Sequence, residues 1–265
     1  MREDSPRIDS PRNPLVGELR KLRERGDRQW VFAEGARLVG EGLAAGLELR
    51  HLLVSDGFGS SELAPGLHAQ LADCDVVAQG CSDAAMARIS ALETPPGVVA
   101  VFARPRWDVD LFAPAAWHCV AAGVRDPGNL GALVRCAEAA GASSLIALAG
   151  SADPYREKAL RASAGSAFRV PCIAGVSLDE MRDWVGSRGL RLITTELGAE
   201  DALWDAEFGA GPLGFVVGGE GAGVPAGLAE LAALRLRIPM RGQVESLNVS
   251  VAAGLVLFEH RRRLG

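Results

Sequence analysis

HCVAAGVRDPGNLGALVRCAEAAGASSLIALA, residues 118–149, reads as one strand, turn, helix and strand in succession. HCVAAGV (118–124) and SSLIALA (143–149) are short β-rich runs, and between them Leu130, Leu133, Val134 and Ala137 recur at i, i+3, i+4 and i+7, the spacing of one helix face. Asp126, Pro127 and Gly128 supply turn chemistry, and Asn129 is placed to cap the helix. Further along, LRLITTE (190–196), GFVVGG (214–219) and LRLRIP (234–239) repeat the strand signal between helical patterns. Strands alternating with helices imply parallel βαβ units in an α/β domain. In such open sheets ligands bind beyond the carboxyl ends of the strands, so the loops after these runs are where function is sought.

Toward the N-terminus the pattern changes. Residues 1–13 are polar and interrupted by Pro6 and Pro11, which reads as a mobile arm. Residues 14–104 read as a small α/β module. Leu15, Leu19 and Leu22 mark one helix and Val39, Leu43 and Leu47 a second, while LRHLLVS (49–55), CDVVAQ (74–79) and GVVAVFA (97–103) read as strands. RPRWDVDLFAPAAW (104–117) has no clear period, so 105–117 is assigned as a linker and 118–265 as the second domain.

Composition narrows the function classes. The 265 residues are 48% hydrophobic and 23% charged, which argues against disorder. No apolar run is long enough to span a membrane and no signal-peptide pattern opens the chain, so a cytoplasmic protein is expected. The five cysteines are never spaced C-x-x-C and the four histidines are scattered, so no metal is expected. Of the 28 basic residues only Lys21 and Lys158 are lysines, and neither sits in a Walker-type phosphate loop. Net charge is −5, with 13 basic against 15 acidic residues over 1–106 and 15 against 18 over 107–265. A nucleic-acid partner must therefore be held by a local cluster of cations, not by a global field.

Three segments carry side chains suited to chemistry. On the first helix Gly131 and Arg135 lie four apart on one face, so a backbone or a substrate can approach at the glycine beside the guanidinium; the alternative is a solvent-facing Arg135 paired with Glu138. GFVVGGEGAGVP (214–225) runs a strand into four glycines around Glu220, which serves either as a loop-stabilising carboxylate or as a ligand contact. It is not a dinucleotide fingerprint, because position 224 is valine. In IPMRGQVESLNVSVAAGLVLFEH (238–260), Ser246 reads as the N-cap of a long helix whose buried face is marked by Leu247, Val251, Leu255 and Phe258, with Asn248 satisfying nearby backbone.

Taken together, N-x-G-x-x-x-R (129–135), G-G-E-G-x-G-V-P (218–225) and I-P-M-x-G-x-x-x-S-L-N-V-S (238–250) resemble the SpoU (TrmH-type) branch of the SPOUT RNA 2′-O-ribose methyltransferases in order and spacing. KALRASAGSAFRVP (158–171) is also similar to that family's sequence between the first two motifs. The resemblance implies a C-terminal SPOUT domain with a parallel sheet and a trefoil knot, and S-adenosyl-L-methionine as cofactor. It places Asn129, Arg135, Glu220, Ser246 and Asn248 in the catalytic set, and Val217, Gly218, Gly219, Glu220, Ile238, Met240 and Leu247 around the cofactor. A homodimer is implied as well.

Phe32 to about Ala103 resembles the ribosomal-protein-like substrate-binding domain of several SpoU enzymes, most clearly at TPPGVVAVF (94–102). That favours structured ribosomal RNA as substrate, with Arg20, Lys21, Arg23, Arg25 and Arg28 as phosphate candidates; a solvated helix face explains the same five. The expected activity is 2′-O-methylation of large-subunit ribosomal RNA, in maturation or antibiotic protection. A tRNA 2′-O-methyltransferase and a non-catalytic RNA-binding ribosome-assembly factor are the competing readings.

Overall fold

The computed structural model describes residues 6–60, 64–73, 78–221, 223–242 and 246–265. The chain divides into two compact units, the first running to Arg106 and including Tyr155–Phe168, the second made of Trp107–Pro154 and Arg169–Gly265.

In the first unit the order is α1 (Pro14–Arg25), β1 (Trp30–Glu34), α2 (Ala36–Ala44), β2 (Leu49–Ser55), α3 (Ala64–Asp73), β3 (Gln79–Cys81), α4 (Asp83–Ile89) and β4 (Val98–Ala103). The strands form one sheet in the order β1-β4-β2-β3, antiparallel except for the parallel β2/β3 pair. Val16 and Leu19 of α1 pack with Phe32, Leu53, Val99 and Val101 on one face of that sheet, with Leu15, Leu22 and Trp30 at the margin. Strand β1 gave no clear signal in the sequence, and most of the expected strand at 74–79 lies outside the described residues.

The expected arm is not free where it is described. Ile8 is 2% exposed and bridges Cys81 in parallel; its N–H donates to the Gly80 carbonyl at 3.0 Å and its carbonyl accepts from Ser82 at 2.9 Å. Gln79 Nε2 donates to the Pro6 carbonyl at 2.6 Å, and Arg7 pairs with Asp9 and Asp56. Residues 6–9 thus extend the sheet beside β3. The polar, proline-broken composition concealed this because a single buried isoleucine anchors the segment. Ile8→Ala is expected to lower unfolding free energy by about 2–5 kcal/mol in urea denaturation. A mobile arm would give no change.

The second unit is built on β5 (Trp117–Ala122), α5 (Pro127–Ala140) and β6 (Ser144–Leu148). The chain then contributes α6 (Glu157–Ser163) to the first unit, so this segment does not group with the domain to which the sequence assigned it. There Arg156 donates to the Glu24 carbonyl at the end of α1 and its guanidinium lies over Gly26, where a Cβ would collide with it. The second unit resumes with β7 (Cys172–Val176), α7 (Leu178–Arg188), β8 (Arg191–Thr195), β9 (Asp201–Ala202), β10 (Leu213–Gly218), α8 (Ala226–Ala229), β11 (Ala232–Arg237) and α9 (Val249–Leu264).

All seven strands are parallel, in the order β7-β6-β5-β10-β8-β11-β9. From β5 the chain steps outward through β6 and β7, whereas the neighbour on its other side is β10. The order therefore reverses between β5 and β10, the position where open α/β sheets hold ligands. Behind this edge His118 is fully buried and satisfied, its ring nitrogens 2.8 Å from Ser144 Oγ and from the Leu111 carbonyl; burial pushes its pKa down.

Helix α9 presents a different face from the expected one. Val249, Ala253, Val256, Leu257 and His260 are buried, and the His260 ring lies 4.9 Å from Trp117 and 4.9 Å from Phe215. Val251, Leu255 and Phe258 are 51%, 37% and 48% exposed. Periodicity located an apolar stripe but could not distinguish it from the one that meets the sheet, because α9 is apolar on both sides.

Candidate active site

The site forms where three loops leave the carboxyl edge of the parallel sheet. Gly218 at the end of β10 stands opposite Ala122 at the end of β5, and the Gly219 N–H continues the ladder by donating to the Ala122 carbonyl at 2.8 Å. The following glycine loop then closes on itself, with the Gly223 N–H donating to the Gly219 carbonyl at 3.0 Å. A Cβ on Gly218 would lie 2.1 Å from the Gly223 carbonyl carbon, and one on Gly219 would lie 2.1 Å from the Gly123 carbonyl oxygen. Backbone packs on backbone here, which only glycine permits. The loop after β5 is itself tied down: Ser151 Oγ accepts from the Gly123 N–H at 3.0 Å and donates to the Ala121 carbonyl at 3.0 Å.

Helix α5 begins three residues earlier than expected, since its cap is not Asn129. Its N-cap is Asp126, whose carboxylate accepts from the Asn129 N–H at 2.9 Å, and Pro127 takes the first helical position. An Asp-Pro pair satisfies the helix start by itself, since proline needs no partner for an N–H at that position. This releases the Asn129 side chain from capping. Its amide donates to Glu220 Oε1, and its carbonyl oxygen accepts from Asn248 Nδ2 at 3.1 Å. Asn129, Glu220 and Asn248, separated by up to 119 positions in sequence, form one hydrogen-bonded chain.

Asn248, not Ser246, caps α9. Its Oδ1 accepts from the Ser250 N–H at 2.9 Å and from Ser250 Oγ at 2.6 Å, while its amide is spent on Asn129. Ser250, which sequence reasoning passed over, thereby fixes the rotamer of Asn248. Ser246 is exposed, two residues before the cap.

Of the residues expected around a cofactor, Val217 is buried in β10, Gly218 and Gly219 form the bare backbone described above, and Glu220 is exposed in the loop. Ile238, Met240 and Leu247 are half-buried in the stretch between β11 and α9.

Arg135 does not join the Asn129 network. It lies six residues along α5, roughly 9 Å of axial rise at 1.5 Å per residue, and is exposed with no hydrogen-bond or ion-pair partner among the described residues. The alternative pairing with Glu138 is not formed, because Glu138 holds Arg169 through two hydrogen bonds. Next to Arg135, Cys136 faces α9, with Sγ 3.8 Å from the Ser250 carbonyl.

In the first unit Lys21, Arg25 and Arg28 are exposed and unpaired among the described residues. Arg20 is held by Glu24 at 2.7 Å. Arg23 is turned inward, its side chain only 12% exposed, so it does not offer a fork to solvent.

The profile of the SpoU rRNA Methylase family matches residues 117–258, and that of the MRM3-like substrate binding domain matches residues 13–100. The 23S rRNA (guanosine(2553)-2′-O)-methyltransferase RlmP of Bacillus subtilis is 32% identical over 258 residues, covering 96% of this chain and 98% of that one. Among solved structures, an RNA 2′-O ribose methyltransferase superimposes with a TM-score of 0.81 at 36% identity, covering 98% of this chain and 100% of the other. The SpoU methyltransferase AviRb from Streptomyces viridochromogenes, solved with AdoMet, gives 0.82 at 28% identity over 96% of this chain and 98% of its own.

Proposed function

The chain belongs to the SpoU rRNA methylase family, and from that premise we propose that it methylates ribose 2′-hydroxyls of large-subunit ribosomal RNA, using S-adenosyl-L-methionine, as a cytoplasmic homodimer. The observation that carries this reading is the joining of Asn129, Glu220 and Asn248 beside Gly218 and Gly219, where backbone leaves no room for a side chain. The full-length match to a ribosomal RNA enzyme favours that substrate over tRNA.

The residues present suit the cofactor. Adenine needs an apolar slot with backbone partners, for which Val217, Ile238, Met240 and Leu247 offer apolar side chains and Gly218 and Gly219 bare backbone. The trefoil knot implied by the resemblance is part of the same reading. S-adenosyl-L-methionine, when bound, supplies a methyl group activated by its sulfonium.

The work of this chain is then positioning. Asn129, held between Glu220 and Asn248, fixes the edge of the site at which the ribose arrives, and Asn248 is in turn locked by Ser250. Ser246, exposed at the entrance to α9, is read with Asn248 as fixing the geometry of the ribose. Arg135 holds the neighbouring phosphate with its planar fork and polarises the 2′-oxygen. Arg135 is exposed and unpartnered among the described residues, and Val251, Leu255 and Phe258 leave an apolar stripe exposed, so the reading has a second copy packed on that stripe with Arg135 completing the partner's site.

Incubating the full chain with methyl-labelled S-adenosyl-L-methionine and separated ribosomal RNA and tRNA, then mapping ribose-methylated nucleotides, tests the proposal. Label on large-subunit RNA is expected. Label on tRNA alone overturns the substrate. Absence of cofactor binding at millimolar concentration in calorimetry makes the chain a non-catalytic RNA-binding factor instead.

A further inference from the structure

In the first unit a cleft of about 250 Å³ lies between the C-terminal half of α1 and the sheet, lined by Glu18, Lys21, Arg25, Trp30, Arg50 and His51 among others. We propose that this cleft receives one unpaired nucleotide of the RNA substrate, its base stacked on the Arg50–Trp30 pair and its phosphate held by Lys21 and Arg25. The inference rests on the RNA-methylation reading above and adds a specific recognition point to it.

The cleft is built by a local irregularity. Pairing of β2 with β4 is regular from His51 to Val54, but the register shifts between Leu49 and His51. A bulge re-aims side chains that would otherwise alternate between the two faces of a sheet. Here it brings the consecutive residues Arg50 and His51 into the same cleft. The Arg50 guanidinium lies 4.7 Å from the centroid of the Trp30 ring and is steadied from the side by Glu18 at 3.4 Å. The result is a flat, cationic platform on a half-buried indole, held from two directions before any ligand arrives.

Unpaired bases are recognised by stacking on aromatic rings or guanidinium planes, with nearby cations neutralising the phosphate. Lys21 and Arg25 sit on adjacent turns of α1 at the lip of the cleft, exposed and without partners among the described residues. Burial and the charge of Arg50 push the His51 pKa down, and the neutral ring this favours offers a donor and an acceptor to a base edge. Asp27 also lines the cleft, but its Oδ1 is spent on the backbone N–H groups of Gln29 and Trp30. The volume lies below the roughly 300–1,000 Å³ of sites for drug-sized ligands, the scale of a single base.

The test is equilibrium binding of the full chain to a short unpaired oligoribonucleotide carrying 2-aminopurine, read by fluorescence and by salt dependence. Wild type is expected to quench the probe. Arg50→Ala and Arg50→Lys, surface changes that leave the core intact, are expected to weaken binding roughly tenfold each, because charge without a plane does not stack. The double change Lys21→Ala with Arg25→Ala is expected to lower the slope of log affinity against log salt by about 1.4. Calorimetric affinity for S-adenosyl-L-methionine is expected to stay unchanged in all of them. Variants that bind and quench like wild type overturn the nucleotide cleft while leaving RNA methylation standing; a wild-type chain that binds no RNA overturns both.

Discussion

Gly219→Ala is expected to abolish detectable S-adenosyl-L-methionine binding in calorimetry and to lower the unfolding midpoint in urea. The added Cβ would lie 2.1 Å from the Gly123 carbonyl oxygen and 2.8 Å from its carbon, and both are backbone atoms that cannot turn aside as a flexible side chain would. Relief requires parting the ends of β5 and β10, which breaks the 2.8 Å bond from the Gly219 N–H to Ala122 and moves Glu220 off Asn129. Fold and site would thus fail together. Gly221→Ala makes the contrast: its φ is +79°, but no atom lies within 4 Å of an added Cβ, so only a left-handed backbone cost of roughly 1–2 kcal/mol applies. Gly221→Ala protein is expected to keep measurable cofactor binding. Equal behaviour of the two variants would show that conformational freedom, not close approach, is what the glycines provide.

The framework of the second unit was legible because its strands announce themselves. Five short β-rich runs, each followed by a helical pattern or a turn, sit where β5, β6, β8, β10 and β11 form. Parallel strands buried on both faces read as continuous apolar runs, which is the signal used. Local choices between equivalent caps were harder. Asn129 and Ser246 are both acceptable N-caps by residue type, yet Asp126 and Asn248 take those positions, and in each helix the difference decides which amide is left to build the site. The Asp-Pro pair at 126–127 was an available clue. The network itself could not be read from spacing, because Asn129 meets Glu220 only through the order in which β10 inserts beside β5. In the first unit the bulge at Arg50 left no mark in the alternation of LRHLLVS, since an exposed arginine beside a half-buried histidine also fits a regular strand.

Mixing two inactive proteins is expected to restore activity if Arg135 serves its partner. Arg135→Ala removes the fork and Glu220→Gln disturbs the carboxylate that holds Asn129; under the proposed roles, positioning at the reacting centre, each variant alone is expected to lose at least a hundredfold in kcat. In a mixed dimer with Arg135 acting across the interface, one site draws its arginine from the Glu220→Gln chain and its carboxylate from the Arg135→Ala chain, and is intact. With half of the dimers mixed, about a quarter of wild-type turnover should return. If Arg135 acts within its own chain, every site in the mixture keeps one defect and nothing returns. Recovery is the expected result: Arg135 is exposed roughly two turns beyond Asn129 with no partner among the described residues, and the stripe of Val251, Leu255 and Phe258 is left exposed by its own chain. Phe258→Asp should separate the subunits in sedimentation and abolish that recovery, because a carboxylate placed in an apolar contact has no partner there. Recovery that persists in a Phe258→Asp background would place the interface on another face of the molecule.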